Sequence, residues 1–211
     1  IMLHNSEAKA LYEAMRIGAS ANVVAGTIHG DSPYGVFDRV VNDLDVPKTS
    51  FKATDIIAMC NPIRSGGGLK KVRRVLSITE VRKDWEQDPQ AERGFVDLMK
   101  YNAKTDLLEP TPDLINGDSE VLKAIGANVR EWVGNWDAIW ENILLRADIK
   151  KMILDYSIKT NQPKMLEAAF CLESNDMQHR ISENVVEEVG QLDPKIIKER
   201  WENWLKDRLK Q

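Results

Sequence analysis

Two short apolar runs separated by a capped amphipathic segment constrain this chain more than any other feature. The first covers residues 22–29 (NVVAGTIH) and the second residues 56–60 (IIAMC). Neither alternates polar with apolar positions, the pattern of a strand covered on both faces in a parallel sheet. Between them Gly30, Asp31, Ser32 and Pro33 supply a turn, a cap and a proline for the first helical position. Val36, Phe37, Val40, Val41 and Leu44 then fall on one helical face. Strand, cap, helix and strand predict a βαβ unit with a right-handed crossover. Ligands bind such sheets at the carboxyl ends of the strands, which is where the pattern puts His29.

The flanking segments extend this α/β reading. Ala8, Leu11, Tyr12 and Met15 lie at helical spacing behind possible caps at Asn5 and Ser6, with Gly18 at the expected end. Residues 64–68 (RSGGG) read as the turn into an extended run over 69–82, an antiparallel hairpin on the sheet edge. Residues 95–101 and 105–109 predict a second hairpin. The expected sheet is therefore mixed, parallel inside and antiparallel outside. Beyond Pro110 the periodicity becomes helical, and Trp132, Trp136, Trp140, Ile143 and Ala147 read as a core stripe. Ile149, Ile153 and Tyr156 follow, and Asp193-Pro194 opens a last helix lined by Ile197, Trp201, Trp204, Leu205 and Leu209. The expected division is an α/β part over 1–110 and a helical part over 111–211.

Charge and cysteine content narrow the function classes. A net charge of -4, with both signs interspersed, gives no global field for a phosphate backbone, so nucleic acid is not an expected partner. Cys60 and Cys171 have no CxxC spacing and read as reduced thiols. No apolar run approaches the ~20 residues of a membrane span, and a cytoplasmic location is expected.

Few residues stand out as candidates for chemistry. His29, at a strand end and followed by Gly30, reads equally as a functional or a structural histidine. His4 and His179 have no ligand partners at metal spacing, so no metal site is expected. Gly66, Gly67 and Gly68 lead into a strand and not into Gly-Lys-Ser/Thr and a helix, so they read as a hairpin tip and not a phosphate loop. Arg64, Lys70, Lys71, Arg73 and Arg74 form the one concentrated basic patch. It reads either as a solvated strand edge or as a contact for an anionic partner or another subunit. Arg39 is out of phase with the apolar face of its helix and reads equally as a paired surface arginine or a functional one.

Three blocks in order, SEAKALYEAMRIG (6–18), VVAGTIHGDS (23–32) and FDRVVNDL (37–44), resemble the archaeal branch of the type II/type IV secretion-system ATPases. These are hexameric motors that power pilus assembly, archaella and secretion. The likeness covers roughly residues 5–83 and fades in the helical tail. In that family Thr-x-His followed by a small residue is the histidine box, and Thr27-Ile28-His29-Gly30 matches it. The resemblance implies that His29 lies near the nucleotide phosphates, with Thr27 beside it. Glu7 matches the last glutamate of the Walker B segment Gly-Glu-Val-Arg-x-x-Glu, while Ile1, Met2, Leu3 and His4 fall on its first four positions, so Met2 replaces the Walker B glutamate.

The fold implied by this resemblance is the C-terminal half of a RecA-like sheet with edge hairpins, followed by a helical domain. Walker A and the aspartate box belong upstream of these blocks, so this chain alone is not expected to hydrolyse ATP or to hold ATP and Mg tightly. In the intact motor it would contribute His29 to the nucleotide site, relay the hydrolysis state through Arg39, and assemble as a hexamer against the cytoplasmic face of a membrane platform protein. Self-association through an exposed sheet is expected. The alternative is a non-enzymatic interaction or scaffold module of such a system.

Overall fold

A computed structural model describes residues 5–17, 23–64 and 71–210. The chain divides into two compact units, Ile1–Val121 and Leu122–Gln211. The first holds a four-stranded sheet, β1 (Ile56–Arg64), β2 (Lys71–Val81), β3 (Phe95–Asn102) and β4 (Leu107–Pro110), in the order β1-β2-β3-β4. Every pairing is antiparallel. The fold is thus α and β together, but the described sheet has no parallel pair.

That overturns the βαβ unit expected between the two apolar runs. Residues 23–30 are exposed and irregular, with Val23 99% and Val24 43% accessible. The run 56–60 does form a strand, and it pairs with β2 in the expected antiparallel hairpin, from Ile56 opposite Glu80 to Arg64 opposite Lys71. The hairpin to β2 uses one edge of β1, and the other edge has no partner among the described residues. A run with no polar face can be a strand only where neighbours cover both faces, and no described strand lies beside 23–30.

Helices form over both amphipathic segments that precede the sheet in sequence. Helix α1 (Asn5–Ile17) buries Ala8, and α2 (Pro33–Asp38) starts where Ser32 accepts the Gly35 amide at 3.0 Å. A π-helical turn over Arg39–Asp43 continues α2, and α3 (Lys48–Phe51) follows. Phe37 meets Phe51 and Trp85 edge-on at 5.2 and 5.5 Å, and Tyr12 stacks on Phe51. Ile57, Met59, Val81, Val36 and Val40 complete this core. Ile57, Met59, Thr79 and Val81 share one sheet face by register. The short helix α4 (Pro112–Ile115), capped by Thr111, packs on β3, and α5 (Glu120–Gly126) follows it.

The second unit is helical: α6 (Trp136–Thr160), a 3-10 turn (Pro163–Leu166), α7 (Ala168–Val189) and α8 (Pro194–Arg208). Asn161 and Gly190 end α6 and α7 in the left-handed region, and Asp193 caps α8 through the amides of Lys195 and Ile196. The tryptophan stripe is not its core. The buried side of α6 carries Ile139, Leu145, Ile149 and Ile153, while Trp136 and Trp140 stack at 6.5 Å half-buried and Trp132 precedes the helix. The core tryptophan is Trp201, packed with Ile197, Leu205, Ile149, Ile181 and Val185. Cys60 and Cys171 are free and exposed.

Candidate functional site

The residues singled out in the sequence do not converge on one cavity. Thr27 and His29 lie in the exposed segment 23–30, and His29 makes no hydrogen bond or ion pair with a described residue. The turn after His29 is nonetheless built to one shape. The Asp31 carboxylate lies against Gly35, where a Cβ would collide with it, and at Gly30 a Cβ would stand 2.8 Å from Val36 Cγ2. Arg39 begins the π-helical turn and is half-buried, while Glu7 stands exposed in the first turn of α1. Helix α1 is held on this region by Lys9 with Asp45 and by Glu13, which accepts the Ser50 hydroxyl at 2.6 Å. The Ser50 hydrogen bond, backed by Arg16, holds the Glu13 carboxyl below its ordinary range.

The basic patch is split by the strand alternation. Lys70, the tip glycines and residues 1–4 lie outside the described residues. Arg74 donates to both oxygens of Asp106 at 2.8 and 2.7 Å, and Tyr101 donates to the same carboxylate at 2.7 Å. These hydrogen bonds, those from Arg74 foremost, lower the Asp106 pKa to about 2. Arg64, Lys71 and Arg73 share the opposite face and are solvent-exposed.

A buried charge cluster escaped the sequence reading. Glu80 is fully buried and accepts the Ser119 hydroxyl at 2.5 Å and the amides of Glu120 and Val121 at 2.9 and 3.4 Å. Arg82 lies 3.2 Å from Glu80, 2.8 Å from Asp118 and 3.1 Å from Glu120. Burial works against its charge, but Glu120, Glu80 and Asp118 outweigh it and hold the guanidinium above its ordinary pKa. Each Glu80 oxygen already has donors, and the cluster fastens residues 118–121 to β2. The available signal was the i, i+2 placement of Glu80 and Arg82 on one strand face, which does not reveal that the face is covered.

Two shallow depressions lie along β3 and β4. One of about 370 Å³ is lined by Arg93, Phe95, Asp97, Lys100, Thr111 and Asp113, and one of about 480 Å³ by Lys100, Tyr101, Asn102, Lys104 and Glu109. None of Glu7, Thr27, His29 or Arg39 borders either. Among the described residues no three His, Cys, Asp or Glu side chains group to hold a metal ion. No helix of the described residues is long and apolar enough to cross a membrane.

No protein-family model matches this chain, and no curated protein matches it significantly.

Proposed function

We propose that this chain is the C-terminal part of a hexameric secretion or type IV pilus-type ATPase of the archaeal kind. The observation that carries the reading is the order and spacing of the three blocks at 6–18, 23–32 and 37–44, with Thr27-Ile28-His29-Gly30 as the histidine box. In this reading the four antiparallel strands are the edge hairpins of a RecA-like sheet, and the β-branched segment 23–30, with Ile28 41% accessible, belongs to the part of that sheet that the rest of the motor completes. His29, Thr27 and Glu7 act at a nucleotide site completed by the rest of the motor, and Arg39 couples that site to the helix behind it. ATP and Mg belong to the assembled motor, which associates with itself and with a membrane platform protein from the cytoplasmic side.

The test is ATP turnover by this chain alone, and by this chain mixed with the Walker A-bearing portion of such a motor. The expected result is no turnover alone and turnover in the mixture that His29→Ala lowers by about 100-fold, within the range for one electrostatic donor at a reacting centre. Robust turnover by the chain alone, or a mixture indifferent to His29→Ala, would overturn the reading.

A second reading is a non-enzymatic scaffold module of a secretion or pilus system. It is favoured by the placement of Thr27 and His29 outside both depressions. A mixture in which the Walker A-bearing portion gains nothing from this chain would select it.

A further inference from the structure

The pairing of β2 with β3 covers only residues 77–81 of β2, so residues 60–64 and 71–75 form a two-stranded ribbon beyond the third strand. A two-stranded ribbon by itself is marginal in water. This one also carries an unfavourable charge arrangement. Arg64 stands directly opposite Lys71, and Arg73, two residues on, shares their face opposite Pro62. Like charges directly across a strand pair are destabilising. None of the three forms an ion pair with a described residue, whereas Arg74 on the other face is satisfied by Asp106. The Asp106 bridge anchors the ribbon from one side and leaves the cationic side turned to solvent.

A complementary surface lies in the same unit. Asp31, Asp38 and Asp43 are all exposed. The Asp31 carboxylate lies beside Gly35, and Asp38 follows Gly35 by three residues, so both stand on one side of α2. Asp38 accepts from Asn42 at 2.6 Å and Asp31 from Ser32 at 3.1 Å, but none of the three acids pairs with a cation among the described residues. The nearby lysine, Lys9, is engaged by Asp45, and Arg39 is half-buried.

We infer that the cationic ribbon face, Arg64, Lys71 and Arg73, docks on the exposed acids of α2 and its flanking turns, Asp31, Asp38 and Asp43, in a second copy of this chain. The two surfaces differ, so the contact is heterologous and repeats head to tail into a ring or a filament. The inference rests on the self-association in the reading above and names the surface that carries it.

Sedimentation velocity of the full chain tests it. Association is expected at low ionic strength and should vanish near 1 M salt, where screening acts within about 3 Å. The triple charge reversal R64E/K71E/R73E should weaken association by about tenfold or more, and so should D31K/D38K/D43K. Mixing the two reversed variants should restore it, because each ribbon then meets a surface of opposite sign. That restoration also shows both variants to be folded. A monomer at every salt concentration, undiminished association in either variant, or a mixture that stays monomeric would overturn the contact. Ribbon-dependent binding of the monomer to phosphatidylserine vesicles would overturn it in favour of a lipid surface. A wild-type chain that stays monomeric while the motor mixture keeps its His29-dependent turnover would remove this contact and leave the ATPase reading standing.

Discussion

In the sheet unit the largest fully buried side chains include a carboxylate, Glu80, beside Trp85 and Phe51, whereas in the helical unit they are Trp201, Ile149, Ile197, Leu205 and Val185. Buried polar side chains of the helical unit are neutral: Ser157, Ser174 and Gln178. Its charges stay outside, where Arg200 with Glu188, Arg208 with Glu173 and Lys198 with Asp148 link α8 to its neighbours. The difference teaches that the two units are specified by different forces. The helical unit is held by the volume its apolar faces fill, which tolerates conservative exchange. The sheet unit hangs residues 118–121 on a charge cluster in which removing one member strands the others.

The largest expected effect comes from breaking the volume-filled unit at its centre. Trp201→Ala removes a fully buried indole and should cost about 3–5 kcal/mol, within the range for such truncations. Hydrogen exchange is the measurement, with protection lost across α6, α7 and α8 and retained in β2 and β3. Equal loss in the sheet would break the comparison by showing one cooperative block.

A somewhat smaller effect should follow from the charge cluster. Arg82→Ala leaves Glu80 buried without its cation and should cost about 3 kcal/mol in denaturant unfolding. Replacing both residues by apolar ones of similar size should cost less than the single change, since no buried charge is then stranded. A double variant weaker than the single one would show that the cluster contributes more than compensation.

The smallest effect belongs to the exposed Asp106. Its folded pKa of about 2 lies below the ordinary 3.8, so the stabilisation it lends the ribbon is complete above about pH 4 and is lost as pH falls through about 2. A carboxyl titration followed by NMR should show that low midpoint, and Arg74→Ala should move it up toward 3.8. A midpoint indifferent to Arg74 would detach the ribbon's anchor from its assigned cause.

What was legible in the sequence tracks the range of the forces involved. The α2 start at Ser32-Pro33, the α8 start at Asp193-Pro194 and the second hairpin follow from contacts within a few residues, so local chemistry determined them. The apolar face of α8 was equally readable, because Ile197, Trp201 and Leu205 repeat at helical spacing. The same rule misplaced the core of α6, whose two apolar sides, one with Trp140 and one with Ile149, cannot be ranked without the helices that pack on it.

Of the candidate site, the sequence alone established the motif Thr27-Ile28-His29-Gly30 and the capped turn after it. Only the tertiary structure decided that residues 23–30 lie outside the described sheet, that β1 has no parallel neighbour among the described residues, and that Glu80 is buried beneath Ser119. The physical reason is that caps and turns are satisfied within one or two turns of chain. A strand, by contrast, acquires its identity from whatever supplies its hydrogen bonds and covers its faces, and that partner is named nowhere in the strand's own residues.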